Sequence, residues 1–132
     1  KGEEMEINSK NYADQAENVM EEFMKYDKNK NKLTTSKIRK FLALSQAIYD
    51  NAKFDKGNLS DEEISELQHL RVIMIYEAGR DKDGVVKEFI EKAKLLKFLK
   101  EIGDDREKLI VFCKYFEALV AYHRYYGGKD EW

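Results

Sequence analysis

No proline occurs anywhere in the 132 residues, and there is a single cysteine, Cys113. Without proline nothing breaks a helix from within, and one cysteine excludes an internal disulfide and suits a reducing compartment. Cys113 sits among apolar residues, where a small buried hydrophobe is the plain reading of a lone thiol. No run is apolar enough to cross a membrane, and no secretory signal or lipidation motif is visible, so the cytoplasm is the expected location. Lys1 in place of Met suggests that the true N-terminus lies upstream. Glycine-rich phosphate loops, nucleophile elbows and paired His/Ser arrangements are lacking as well. The only two histidines, His69 and His123, fall in different segments with no cysteine or acid at metal spacing, which leaves a zinc site without support. Catalysis is therefore not expected, and no metal or cofactor is expected either.

What the chain does have is helical periodicity. Hydrophobic residues make up 42% and aromatics 12% of a sequence rich in Ala, Leu, Glu and Lys, a composition that shifts the expectation toward an all-α fold with one modest core. The dominant stretch is Leu109 to Tyr126. Its Leu109, Phe112, Cys113, Phe116, Leu119, Val120 and His123 recur at three- and four-residue spacing and form one face of a helix. Tyr115, Tyr122 and Tyr125 turn away from that face, so this helix is expected to have more than one neighbour.

The same periodicity predicts a compact bundle of about five helices in a single domain: Asn11 to Tyr26, Thr35 to Lys53, Asp61 to Gly79, Val85 to Ile102 and Asp105 to Tyr126. Thr34, Thr35 or Ser36 can cap the second. Ser60-Asp61-Glu62-Glu63 is a capping box that starts the third, and this is the clearest start signal in the chain. Asp104 or Asp105 can cap the fifth. Residues 1–10 precede the first helix and are candidates for disorder, while Asp27 to Lys32 reads as a polar break.

That break contains a tempting pattern, because Asp27, Asn29 and Asn31 occupy the first, third and fifth ligand positions of a helix-loop-helix calcium site. The match then fails. Lys32 stands where the loop needs glycine, Ile38 stands where it needs a bidentate glutamate, and the lysines repel a cation. Glu62, Glu63 and Glu66 cluster too, but acids collect at helix N-termini for dipole reasons.

Net charge is only −2, which argues against a generic nucleic-acid binder, yet residues 27–57 carry 8 basic and 3 acidic groups. A local basic patch on an otherwise neutral surface can meet phosphate. Lys37, Arg39 and Lys40 fall in the first turns of the second helix, where cations oppose the helix dipole. Something other than helix stability asks for them there.

Three stretches carry a resemblance. Leu33-Thr34-Thr35-Ser36-Lys37-Ile38-Arg39, Tyr76-Glu77-Ala78-Gly79-Arg80, and Phe112 through Tyr122 resemble signature segments of the small subunit of type III-A CRISPR effector (Csm) complexes. The likeness extends from Leu33 to Tyr126, and residues 1–26 show no such motif. It implies a non-catalytic architectural subunit. Several copies would stack as a filament along guide RNA and target RNA, beside other subunits that carry the nuclease and cyclase activities.

Under that resemblance the expected RNA-binding residues are Lys37, Arg39 and Lys40 on the second helix, Arg80 after the third, and Lys114 and Arg124 on the fifth. Ser36 would add a hydrogen bond to phosphate at a helix N-terminus. Such a protein should grip the backbone without preferring bases. The plain reading of these side chains is solubilising charge, and that of Arg71 is an intramolecular salt bridge. A second hypothesis is a helical adaptor that binds only proteins and uses its basic loop on an acidic partner. Self-association into a filament or dimer belongs with either.

Overall fold

The computed structural model describes residues 5–129. It contains seven helices and, among the described residues, no strand: α1 (Tyr12–Phe23), α2 (Asp27–Lys32), α3 (Thr35–Ala52), α4 (Asp61–Arg80), α5 (Val85–Lys92), α6 (Leu95–Ile102) and α7 (Arg106–Tyr125). The all-α reading holds, but the count of about five is corrected at two places. Of the residues 1–10 considered for disorder, 1–4 lie outside those described. In the remainder, Asn8 and Asn11 form a hydrogen-bonded turn, and Met5 and Ile7 pack against the core.

The first correction is Asp27 to Lys32, which is a short helix instead of a polar break. Six polar residues would not hold a helix alone. Asn29 explains it: the residue is buried, and its amide donates to the Phe23 carbonyl at 3.0 Å and to Glu88 Oε2 at 3.2 Å. The side chain that looked like a calcium ligand thus satisfies the end of α1 and ties α2 to α5.

The second correction splits the predicted fourth helix into α5 and α6. Lys94 adopts a left-handed backbone, φ 58°, which costs a residue bearing a Cβ roughly 1–2 kcal/mol. The carbonyl of Ala93, which an unbroken helix would offer to the amide four residues on, accepts the Tyr115 hydroxyl at 2.8 Å. Phe98 packs edge-on against the same ring at 5.5 Å. The bend lets Phe89 and Ile90 before it, and Leu95, Phe98 and Leu99 after it, all reach the core. Tyr115, assigned to a flank by its spacing, is accordingly fully buried.

Helix α7 is central, packing against α1, α3 and α6. Its predicted apolar face is inside: Leu109, Phe112, Phe116, Leu119 and His123 are all but inaccessible. Phe116 meets Phe41 of α3 and Phe89 of α5 at 6.5 and 6.4 Å, and Phe89 meets Phe23 of α1 at 5.9 Å. One chain of edge-to-face rings therefore links four helices, a geometry favoured by the ring quadrupole. Burial pushes the Cys113 thiol up to about 12, as a small core residue should behave.

Two polar devices fix the helix ends. Ser60 and Glu63 form the capping box expected for α4, and Asp105 caps α7. Arg106, which no local pattern singles out, is buried at the start of α7. It grips Glu63 through two bonds of 2.9 and 3.0 Å and donates to the carbonyls of Ala52, Gly57 and Asn58, each at 3.1 Å. At the other end of α7 the chain turns back at Gly127, φ 90°. Gly128 follows without a side chain because a Cβ there would collide with the His123 ring. The Lys129 carbonyl then accepts the Thr35 amide at 3.0 Å, and His123 Nε2 donates to the Leu33 carbonyl at 2.6 Å. The start of α3 is thereby pinned to the end of α7. No helix among the described residues is long and apolar enough to cross a membrane.

Candidate nucleic-acid interface

The pinned N-terminus of α3 runs beside the C-terminus of α4, and the turn from α4 to α5 closes the space between them. The result is an open cleft of about 410 Å³ lined by Ser36, Lys37, Lys40, Glu77, Arg80, Asp81, Lys82, Asp83 and Val86. Four of the seven candidate residues, Ser36, Lys37, Lys40 and Arg80, are thus brought together from two stretches far apart in the chain. Lys82 joins them, and Lys32 on α2 adds its charge near Asp83. Arg39 lies on α3 between Lys37 and Lys40, exposed but outside the cleft lining, while Lys114 is half-buried and Arg124 exposed on α7.

The acids in the cleft are what the local sequence does not announce. Lys37 bridges Asp81 Oδ1 at 3.0 Å and Asp83 Oδ2 at 2.9 Å. Burial works against its charge, but the hydrogen bonds to Asp83 and Asp81 outweigh burial and raise its pKa. Asp81 is itself almost covered and also accepts the Val86 amide at 3.0 Å, which caps α5. Its burial favours the neutral acid, yet the Val86 amide and the Lys37 ammonium prevail and hold its carboxyl below the usual range. The Lys37 bond does the same for Asp83. Lys37 is therefore a brace between α3 and the turn as much as a surface cation.

Glu77 organises the outer pair. It accepts Arg80 Nε at 2.8 Å and Lys40 Nζ at 3.0 Å on its two oxygens, and the bond from Arg80, helped by Lys40, keeps its carboxyl below the ordinary value against the effect of burial. Glu77 is nearly covered, whereas Lys40 and Arg80 are 56% and 64% exposed. Apart from Nε, no nitrogen of the Arg80 guanidinium donates a hydrogen bond among the described residues. Lys40 and Arg80 are consequently aimed outward by a nearly covered carboxylate, with donors left for a ligand. Four cationic and three acidic side chains line the cleft, one net positive charge.

Ser36 is exposed and its hydroxyl lies 3.0 Å from that of buried Thr34, the N-cap of α3, whose side chain bonds to no backbone amide of the helix. Because Thr35 N–H is taken by Lys129, the helix N-terminus offers fewer amides than its sequence implies. Arg71 donates to Gln68 at 3.2 Å, in place of the expected salt bridge.

Comparison with known proteins points one way. The model of the family described as Csm2 Type III-A matches residues 7–129. The protein called "CRISPR system Cms protein Csm2" in Streptococcus thermophilus is 48% identical over 124 residues, spanning 94% of this chain and 98% of that one. Proteins of the same name in Mycobacterium tuberculosis (strain H37Rv) and Enterococcus italicus are each 40% identical, over 79% and 76% of this chain and 83% and 72% of their own length.

Proposed function

The chain belongs to the Csm2 family of type III-A CRISPR systems, and from that premise we propose that it is the non-catalytic small subunit of an RNA-guided interference complex in antiviral defence. Several copies stack along guide RNA and target RNA in the cytoplasm, each holding the RNA backbone without sequence preference and each contacting other subunits of the complex. The observation that carries this reading is the cleft between α3 and α4, where Lys40 and Arg80 project from a shared, nearly covered carboxylate with Lys37, Lys82 and Ser36 around them. Outward cations on fixed bases grip phosphates, and phosphates carry no base identity. Arg39, Lys114 and Arg124 extend the basic surface beyond the cleft. Cys113 and His123 are committed to the interior, where Cys113 is held as a thiol and His123 bonds the Leu33 carbonyl.

The test is titration of the assembled complex with RNAs of unrelated sequence across a salt series. Affinity should fall steeply with salt and equally for all sequences. A second reading, the protein-only adaptor, is favoured by exposed Val72 and Ile75 on α4. It requires an RNA affinity and salt slope that do not change when the cleft cations are removed.

A further inference from the structure

Gly79 has no role in the fold. It lies inside the last turn of α4, its φ is not left-handed, and a Cβ built on it meets nothing within 4 Å. The cap of this helix is Asp81, in extended conformation, so Gly79 is not the glycine that commonly ends a helix. Alanine would fit and would favour the helix. A helical glycine that packing does not require leaves bare backbone on the surface, which is what close approach from outside needs.

Two neighbours share its facet. Tyr76 lies one helical turn before both Gly79 and Arg80, so its ring stands between the glycine on one side and the arginine on the other. Tyr76 is 62% exposed, and the Arg80 guanidinium carbon is 5.9 Å from its ring centroid. Glu77 fixes Arg80 from beneath. The facet is thus an exposed ring flanked by bare backbone on one side and by an oriented cation on the other, and the cation side is continuous with the cleft that holds Lys40 and Lys82.

We propose that Tyr76, Gly79 and Arg80 form a seat for one unpaired nucleotide of RNA: the base stacks on the Tyr76 ring in the space left open above Gly79, and its phosphate meets Arg80 on the other flank of the ring. This rests on the RNA-binding reading and adds a base-facing contact to it. Stacking is tolerant of sequence because every base has a π-face, so it keeps recognition general while selecting unstacked strands over a continuous duplex. The cations interleaved with the ring favour a polyanion over the apolar partner that Val72 and Ile75 alone would suit.

The proposal is tested on assembled complexes built with parent or variant chain. The probes are an oligouridylate and an abasic ribose-phosphate strand of equal length. Tyr76→Ala should weaken oligouridylate binding about 5- to 100-fold with the salt slope unchanged, Tyr76→Trp should retain it, and the abasic strand should not distinguish parent from Tyr76→Ala. Gly79→Ala should raise the melting temperature of the chain while lowering RNA affinity. The seat is refuted if Tyr76→Ala binds as the parent does, if it weakens both strands equally, or if Gly79→Ala stabilises without weakening binding. It is refuted equally if Tyr76→Ala impairs incorporation into the complex in place of RNA affinity, which would make the facet a protein contact. A change in salt slope on removing Arg39, Lys40 and Arg80, with Tyr76→Ala silent, would leave backbone binding standing and remove only the seat.

Discussion

Glu77 accepts the Nε–H of Arg80 one helical turn away, at 2.8 Å, and this bond sets the direction of an exposed cation at the cleft. The same carboxylate holds Lys40 from α3 at 3.0 Å. It therefore does two opposed things: it aims both cations and it subtracts from the positive potential they present. Glu77→Gln keeps an acceptor oxygen and loses the charge. RNA affinity of the assembly should rise about two- to fivefold at low salt, with the gain vanishing at high salt, since exposed charge interactions of this kind are modest and screened. A filter-binding series at two ionic strengths decides the matter, and an unchanged affinity at low salt would mean that phosphate does not enter the cleft.

The cations themselves divide into two kinds. Arg39, Lys40 and Arg80 are exposed, so replacing all three with alanine, together with Glu77→Gln so that no covered carboxylate loses its counter-charge, should keep the helical signal and leave the melting temperature within about 5 °C of the parent. The salt slope of RNA binding should fall by about one unit for each phosphate that the variant no longer neutralises. Lys37→Ala should behave differently, because it leaves nearly buried Asp81 without its counter-charge, at a cost of about 1–3 kcal/mol for an unsatisfied polar group. Denaturant melts of the two variants side by side separate brace from ligand-binding cation.

This division is only half legible in the chain. Lys37, Arg39 and Lys40 stand together on one helix start, so a basic patch can be read locally. Their acid partners cannot, because Asp81 and Asp83 come back to Lys37 only after α3 and α4 have folded side by side. Spacing does place Glu77 one turn from Arg80, and that pairing is readable. The same limit governs the fold. The capping box of α4 and the apolar face of α7 involve neighbours in sequence and are legible. The bend at Lys94 follows from a Tyr115 hydroxyl on another helix, and the helicity of Asp27 to Lys32 follows from Asn29 reaching Glu88. Periodicity carries no information on either.

Phe116 closes the chain of rings that joins α1, α3, α5 and α7, and it is fully buried. Phe116→Ala should cost about 3–5 kcal/mol, the usual toll of a large cavity in a close-packed core. With total stabilities of about 5–15 kcal/mol, the variant should be close to unfolding. Phe116→Leu fills more of the volume and should recover much of the loss in the same urea titration. Equal stability of the two variants would place Phe116 outside the core.

Arg106 and Glu63 make the most consequential pair in the interior. The guanidinium satisfies both carboxylate oxygens and three carbonyls, joining the end of α3, the loop after it, the start of α4 and the start of α7. Arg106→Ala strands the Glu63 carboxylate and frees the loop, and should lower the melting temperature by roughly 10–20 °C. The bonds from Arg106, joined by the Ser60 amide, hold the Glu63 carboxyl below its ordinary value of 4.5 against the effect of burial. A carboxyl lowered in the native state binds fewer protons there than in the unfolded chain, so its contribution is complete above about pH 4.5 and declines as the pH falls toward the lowered native value. Acid titration of stability should therefore show a fall below about pH 4.5 in the parent that is reduced in Glu63→Gln, which starts less stable at neutral pH but has no proton to take up at this site. Parallel acid curves for parent and Glu63→Gln would mean that the clamp does not depend on ionised Glu63. Because the clamp lies at the opposite end of α3 and α4 from the cleft, Glu63→Gln should leave the salt slope of RNA binding at neutral pH untouched.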